Sequence, residues 1–325
     1  MRTAVFWINE SLLILFLSLA VAYTVSSEAT DFEGDGKFKI VLLPDTQLYS
    51  DEFPERFYAQ TQWLADNFQK EDIRFAAHLG DVVDKNQKHQ WENADQAVDR
   101  LDQAGVPYGI AIGNHDMGGK ASRYKQYFGS RRMEERPGYG GHSRNELNSY
   151  YTFSTEGKEF LLLFLNIDLP GEDLAWAQRV LDEHPGMPVI VVSHLLMDTK
   201  GRLAEKPYVR KSQGNSPAFI YDEWIAKNSQ IFMTVNGHYS GTHRKIRKNE
   251  AGLPVHQYVS DYQGYPNGGE GFLRIIEFDL NKNTLTHRTY SPYLDEDMIG
   301  EQHNFTEYVD FEKRWNLEIP NQPYE

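Results

Sequence analysis

Gly113-Asn114-His115-Asp116 follows a short apolar run, Tyr108-Gly109-Ile110-Ala111-Ile112, and is followed closely by two glycines, Gly118 and Gly119. The apolar run has the length and composition of a buried strand. A strand that ends in glycine and then offers an amide, an imidazole and a carboxylate is either a turn or the lip of a ligand site. Gly, Asn and Asp are common turn residues. In open α/β sheets, ligands also gather beyond the carboxyl ends of strands. The neighbouring segments decide between the two.

Upstream, the same pattern occurs twice. Lys37 to Leu43 reads as a strand that ends at Pro44-Asp45-Thr46-Gln47, and Pro54 to Lys70 reads as a helix, with Phe57, Thr61, Leu64 and Phe68 at helical spacing. Ile73 to Leu79 is a second strand, ending at Gly80-Asp81-Val82-Val83-Asp84. The helix His89 to Ala104 follows, stopped by Gly105 and Pro107. Three successive units of strand, polar exit and helix predict an α/β sheet with right-handed crossovers.

Downstream, Tyr150 to Ser154 and Phe160 to Ile167 read as a hairpin pair, and Glu172 to His184 as a helix. Met187 to Val192 is a buried strand ending at Ser193-His194. Ala218 to Asn228 reads as a helix, and Gln230 to Val235 as a strand ending at Asn236-Gly237-His238. Thr242 to Lys248, Val255 to Ser260, Phe272 to Leu280 and Thr284 to Tyr290 read as successive antiparallel strands, the last two joined by an Asn281-Lys282-Asn283 turn.

Five strand exits therefore carry polar groups: Asp45 and Gln47; Asp81 and Asp84; Asn114, His115 and Asp116; His194; His238. If these strands run the same way in one sheet, their ends converge. Carboxylates, amides and imidazoles without a thiolate form a hard-to-borderline site for Mn, Fe, Zn or Mg. A carboxylate flanked by ligands on both sides can bridge two ions about 3.5–4 Å apart, an arrangement used on phosphate esters. The alternatives are structural. Asp84 and Asp116 sit where helix N-caps fall, and His194 alone reads as a core histidine. Trp63, Trp91, Trp176 and Trp224 lie on helical faces and read as core. His78, His89, His142, His184, His256 and His287 belong to no motif.

The ordered set Asp45-x-Gln47, Gly80-Asp81-x-x-Asp84, Gly113-Asn114-His115-Asp116, His194 and Gly237-His238 resembles the calcineurin-like metallophosphoesterases, from about Ile40 to His243. Leu43-Pro44-Asp45-Thr46-Gln47 is similar to a branch with Pro-Asp-Thr-Gln in place of Asp-x-His. The resemblance implies a two-sheet α/β sandwich flanked by helices, a four-layer α/β/β/α fold, in a domain spanning residues 37–293. It implies a metal-dependent phosphoesterase that hydrolyses a mono- or diester by attack of a metal-activated hydroxide. Asp81 would bridge two divalent ions. Asp45 and Gln47 would bind the first, and Asn114, His194 and His238 the second. His115 would face the leaving group, oriented by Asp84. The family usually has His where this chain has Gln47, and a second His where it has Ser240. Both departures fall on one ion, which favours Mn or Mg there. His243, three residues on, reads as an ordinary strand residue. A member so altered could also bind a phosphorylated ligand without turnover.

The chain has 325 residues, a net charge of −14 and no cysteine. Disulfides, zinc–thiolate sites and thiol catalysis are thereby excluded, and general nucleic-acid binding, including a nuclease role, is disfavoured. Residues 1–27, with an apolar run from Ser11 to Val25, resemble a secretory signal peptide; a retained membrane anchor is the rival reading. Either reading places the domain outside the cytoplasm, with membrane contact only through this segment. Residues 294–325 form an acidic, aromatic extension expected to pack on the domain. Two less regular segments are rich in basic residues: Lys120–Arg144, and Leu195–Pro217 with Lys200, Arg202, Lys206, Arg210 and Lys211. Each follows a ligand-bearing strand, so they are expected to form a cationic collar for a phosphorylated small molecule. Arg202, Lys206, Arg210 and His142 are the candidate substrate contacts, with Tyr139 and Tyr208 near the leaving group.

Overall fold

The computed structural model describes residues 35–317. Residues 1–27, expected as a signal peptide or anchor, lie outside the described residues. Among the described residues no helix is long and apolar enough to cross a membrane.

The chain opens with β1 (Lys37–Leu43), a short helix α1 (Gln47–Asp51) and α2 (Pro54–Asn67). Then come β2 (Ile73–His78), α3 (Lys88–Ala104) and β3 (Tyr108–Ile110). The three strands are mutually parallel, so their carboxyl ends share one edge. Gly105, in the left-handed conformation at φ 71°, caps α3 as the sequence predicts. The segment Lys120–Arg144, read as irregular, holds α4 (Gly118–Phe128), α5 (Ser130–Met133) and β4 (Tyr139–His142).

A second sheet begins at β4 and continues through the hairpin of β5 (Ser149–Thr155) and β6 (Lys158–Leu165). After α6 (Gly171–Glu183) it adds β7 (Val189–Ser193), parallel to β6. The helix read over Ala218–Asn228 is two pieces: α7 (Pro217–Ile220) and a wider π-helical turn, Tyr221–Ile225. Then β8 (Ile231–Asn236), β9 (Gly241–Lys248) and β10 (Pro254–Asp261) complete this sheet in the order β4-β5-β6-β7-β8-β10-β9.

The four strands expected to follow one another divide between the sheets. Past α8 (Pro266–Gly269) the chain returns to the first sheet, where β11 (Leu273–Asp279) pairs antiparallel with β1 and β12 (Thr284–Ser291) with β11. The described part of the tail packs on the domain and joins the first sheet. It adds β13 (Glu296–Asp297) and β14 (Phe305–Tyr308) to β12, and α9 (Phe311–Trp315) sends Phe311 into the core.

Strand alternation makes four layers. On β1, Val41 and Leu43 face α2, α3 and α4, burying Phe57, Leu64, Trp91 and Phe128. Ile40 and Leu42 face the other way and meet Leu162, Phe164, Ile190 and Val192 between the sheets. Leu161, Leu163 and Leu165 pack outward on α6, with Trp224. Each large side chain so buried contributes about 1.5–3 kcal/mol. The result is a two-sheet α/β sandwich with helices on both outer faces.

Candidate metal centre

The five polar strand exits do converge, though not in one sheet. β1, β2 and β3 deliver theirs from the first sheet, β7 and β8 from the second. Asp81, His194 and His238 place ligand atoms within 4.8 Å of one another. His194 Nε2 lies 3.1 Å from Asp81 Oδ2, from Asn114 Oδ1 and from His238 Nδ1. Ligand atoms about 2.0–2.1 Å from one ion sit roughly 3.0–3.4 Å apart, so this spacing suits a shared coordination shell. His194 Nδ1 lies 3.0 Å from the Leu79 carbonyl and donates to it, which turns the Nε2 lone pair inward. His194 is fully buried.

Glycines make room for these groups. A Cβ on Gly113 would lie 2.1 Å from Asp81 Oδ1, and one on Gly237 would lie 2.0 Å from Asp45 Oδ1. Asp81 and His238 themselves hold left-handed backbone, φ 50° and 69°. Such non-glycine conformations cluster where surrounding structure holds them for function.

Electrostatics favour positive charge here. Burial and the neighbouring Asp261 carboxylate raise the Asp45 pKa well above its ordinary value. Burial pushes Asp261 up to about 6. Burial and the Asp81 charge push Asp116 up to about 7. Burial opposes a charge on His194, yet Asp81 and Asp45 push it up to about 10. Burial and His194 lower His238 to about 4. Acidic groups crowded around one or two imidazoles suit a divalent cation.

The remaining predicted residues fall as follows. Asp45 accepts from the His238 amide at 3.1 Å, joining the two sheets at the site. Gln47 is buried beside it, its amide bonded to Gln263 and its Oε1 without a partner. Asp84 meets His115 through its main chain: His115 Nδ1 lies 2.5 Å from the Asp84 carbonyl and 3.6 Å from its carboxylate, which pairs instead with Lys85 at 2.9 Å. Neither Asp84 nor Asp116 caps a helix. Asp116 accepts from Val83 and Gly113 amides at 3.2 and 2.9 Å, clipping two site loops together. His243 lies on β9 opposite Val259 and against Gly201.

Three arginines of the cationic segments are engaged in ion pairs. Arg132 pairs with Asp95, Asp99 and Asp102 of α3, and Arg136 with Asp102. Arg202 pairs with Asp198 at 2.7 Å. The Arg210 amide is held by Asp168, and Lys206 is exposed. His142 lies on the edge strand β4, three strands from β7, its Nδ1 2.7 Å from Tyr139 Oη. Tyr208, in contrast, stands over the site, its ring 4.6 Å from that of His238. The Asp168 carboxylate holds it there by accepting from the amides of Tyr208, Val209 and Arg210. A cavity of about 300 Å³ opens alongside, between Leu195, Leu196, Leu203, Ala204 and Tyr239.

Several contributors carry no motif. His78, fully buried, accepts from the Gly80 amide and lies 2.9 Å from Thr46 Oγ1, bracing two exits from beneath; burial lowers it to about 3, so it stays neutral. Asp261 ends β10 and Gln263 lies two residues beyond it, as the predicted site residues lie at the ends of their strands, and that was the available signal.

Comparison with known proteins gives the family and the fold. Residues 38–239 match the family described as calcineurin-like phosphoesterase. The uncharacterized protein YvnB of Bacillus subtilis (strain 168) is 33% identical over 296 residues, covering 85% of this chain; the chain spans 22% of that relative. The purple acid phosphatase PPD1 of yellow lupin (Lupinus luteus) superposes with a TM-score of 0.57 at 12% identity, over 90% of this chain and 58% of its own. NAD nucleotidase (NadN) of Haemophilus influenzae gives 0.45 at 13% identity, over 84% and 50%. With the family profile covering more than half of its residues, the chain belongs to the calcineurin-like phosphoesterases.

Proposed function

We propose that this chain is a metal-dependent phosphoesterase acting outside the cytoplasm on a phosphorylated small molecule, as a mono- or diesterase. The observation that carries the reading is the approach of Asp81, Asn114 and His238 to 3.1 Å from one imidazole nitrogen of His194. Asn114, His194 and His238 would hold one divalent ion, Asp45 and Gln47 a second, and Asp81 would serve both. Such ions supply Lewis acidity toward the phosphoryl oxygens and lower the pKa of water at the site.

The chain's own residues do the rest. His115 Nδ1–H donates a hydrogen bond to the Asp84 carbonyl, which fixes the ring and leaves Nε2 for the leaving-group oxygen. The His115 amide donates to Asp81 Oδ1 at 2.9 Å and holds that carboxylate in register. Tyr208 and Tyr239 flank His238 and screen the site from bulk water. The extracytoplasmic placement is supported by the apolar run Ser11 to Val25.

A panel of phosphomonoesters and diesters, run with Mn, Mg, Zn and Fe, tests the proposal. Hydrolysis dependent on one of these ions and lost in Asn114→Ala supports it. Binding of phosphorylated ligands without turnover under every metal would instead make the chain a binding module.

A further inference from the structure

We infer that Gln263 is a positioning residue that fixes the amide of Gln47 with its carbonyl oxygen presented to a hard divalent cation, Mn²⁺ or Mg²⁺. The inference rests on the two-ion reading above.

Gln263 Nε2 lies 3.3 Å from Asp45 Oδ2 and 2.8 Å from Asp261 Oδ2. Carboxylates only accept, so the amide nitrogen of Gln263 must face them. Its Oε1 then faces the other way, toward Gln47, and accepts from Gln47 Nε2. One atom is left over, Gln47 Oε1. It is buried in a residue only 8% exposed and has no hydrogen-bond partner. A buried amide oxygen left open in this way calls for an electropositive partner, and amide and carboxylate oxygens are the ligands that hard cations prefer.

The relay has its own support. The Gln263 amide donates to Asp261 Oδ1 at 2.8 Å, which shapes the turn. Ser240, where the resemblance anticipates an imidazole, accepts from the Gly264 amide at 2.9 Å. A Cβ on Gly264 would lie 2.2 Å from Ser240 Oγ, so glycine is needed for this approach. The residue that replaces the imidazole thus pins the loop that carries Gln263. Together, Asp45, Asp81 and Gln47 make an oxygen-only set, with Gln263 and Asp261 orienting it.

Mn²⁺ titration of the full chain, by calorimetry and electron paramagnetic resonance, tests this. The wild type should bind two ions. Gln263→Met should weaken one of them about 10–100-fold, as loss of an outer partner does, and leave the other within about twofold. In a Gln47→Glu background the Gln263→Met penalty should vanish or reverse, because a carboxylate presents an oxygen whichever way it turns. Two ions bound with unchanged affinities in Gln263→Met overturn the inference alone. So does an equal penalty in both backgrounds. A wild type that binds a single ion overturns the two-ion reading and this inference with it.

Discussion

His194, His238 and Asn114 make one side of the centre; Asp45 and Gln47, with Gln263 and Asp261 behind them, make the other. The nitrogen-bearing side is fixed by main chain. The Leu79 carbonyl sets the His194 tautomer, and left-handed backbone aims His238. The oxygen-bearing side is fixed by a relay of side-chain amides and carboxylates. Imidazoles suit Zn and Fe, whereas oxygens suit Mn and Mg. On the two-ion reading proposed above, one chain would offer two positions of unequal softness and unequal rigidity, and the second would be the easier to disturb.

Substitutions can break this contrast or sharpen it. Asn114→Ala removes a ligand from the firmly held side, and hydrolysis should fall at least about a hundredfold, beyond the loss expected of an outer partner. Steady-state assays under saturating Mn check this. Gln47→His puts an imidazole on the oxygen side and should erase the difference, raising Zn affinity relative to Mn by about tenfold, read by competitive titration. Tyr208→Ala removes a ring over His238, and KM should rise about two- to tenfold, the equivalent of one aromatic contact, with metal binding unchanged.

The two basic segments give a parallel contrast. Arg132→Met strands three carboxylates of α3 and should cost roughly 1–3 kcal/mol in thermal or denaturant unfolding, with no effect on KM. Neutralising Arg202, Lys206 and Arg210 together should raise KM about twofold at low salt, an effect that fades as salt screens exposed charges. A larger rise would show that the Asp198–Arg202 pair opens to substrate.

The strand exits were legible because the apolar runs of β1, β2, β3, β7 and β8 each stop at a polar group, and those groups converge. The assignment of strands to sheets was not. An antiparallel pattern reads the same whether β10 is followed by its neighbour or by a strand in the opposite sheet. The spent charge of Arg132 was hidden for a related reason. Asp95, Asp99 and Asp102 line one face of α3 at helical spacing, but nothing local shows that α5 lies against it. That Asp84 meets His115 through its main-chain carbonyl was not legible, since sequence does not distinguish main-chain from side-chain contact. Gln263 escaped notice because it acts on Asp45 across 218 residues through an amide that resembles any exposed glutamine.

The ligand groups come from both sheets, and their hydrogen bonds already cross between them, from His238 to Asp45 and from His194 to Leu79. A cation held there is a rivet through the seam of the sandwich. Prying the sheets apart and releasing the ion become a single event. At a free concentration one hundred times its Kd, such an ion adds about 2.7 kcal/mol to the folded state. With an ion bound there, a melting curve would double as a metal assay, and a chelator would act as a mild denaturant.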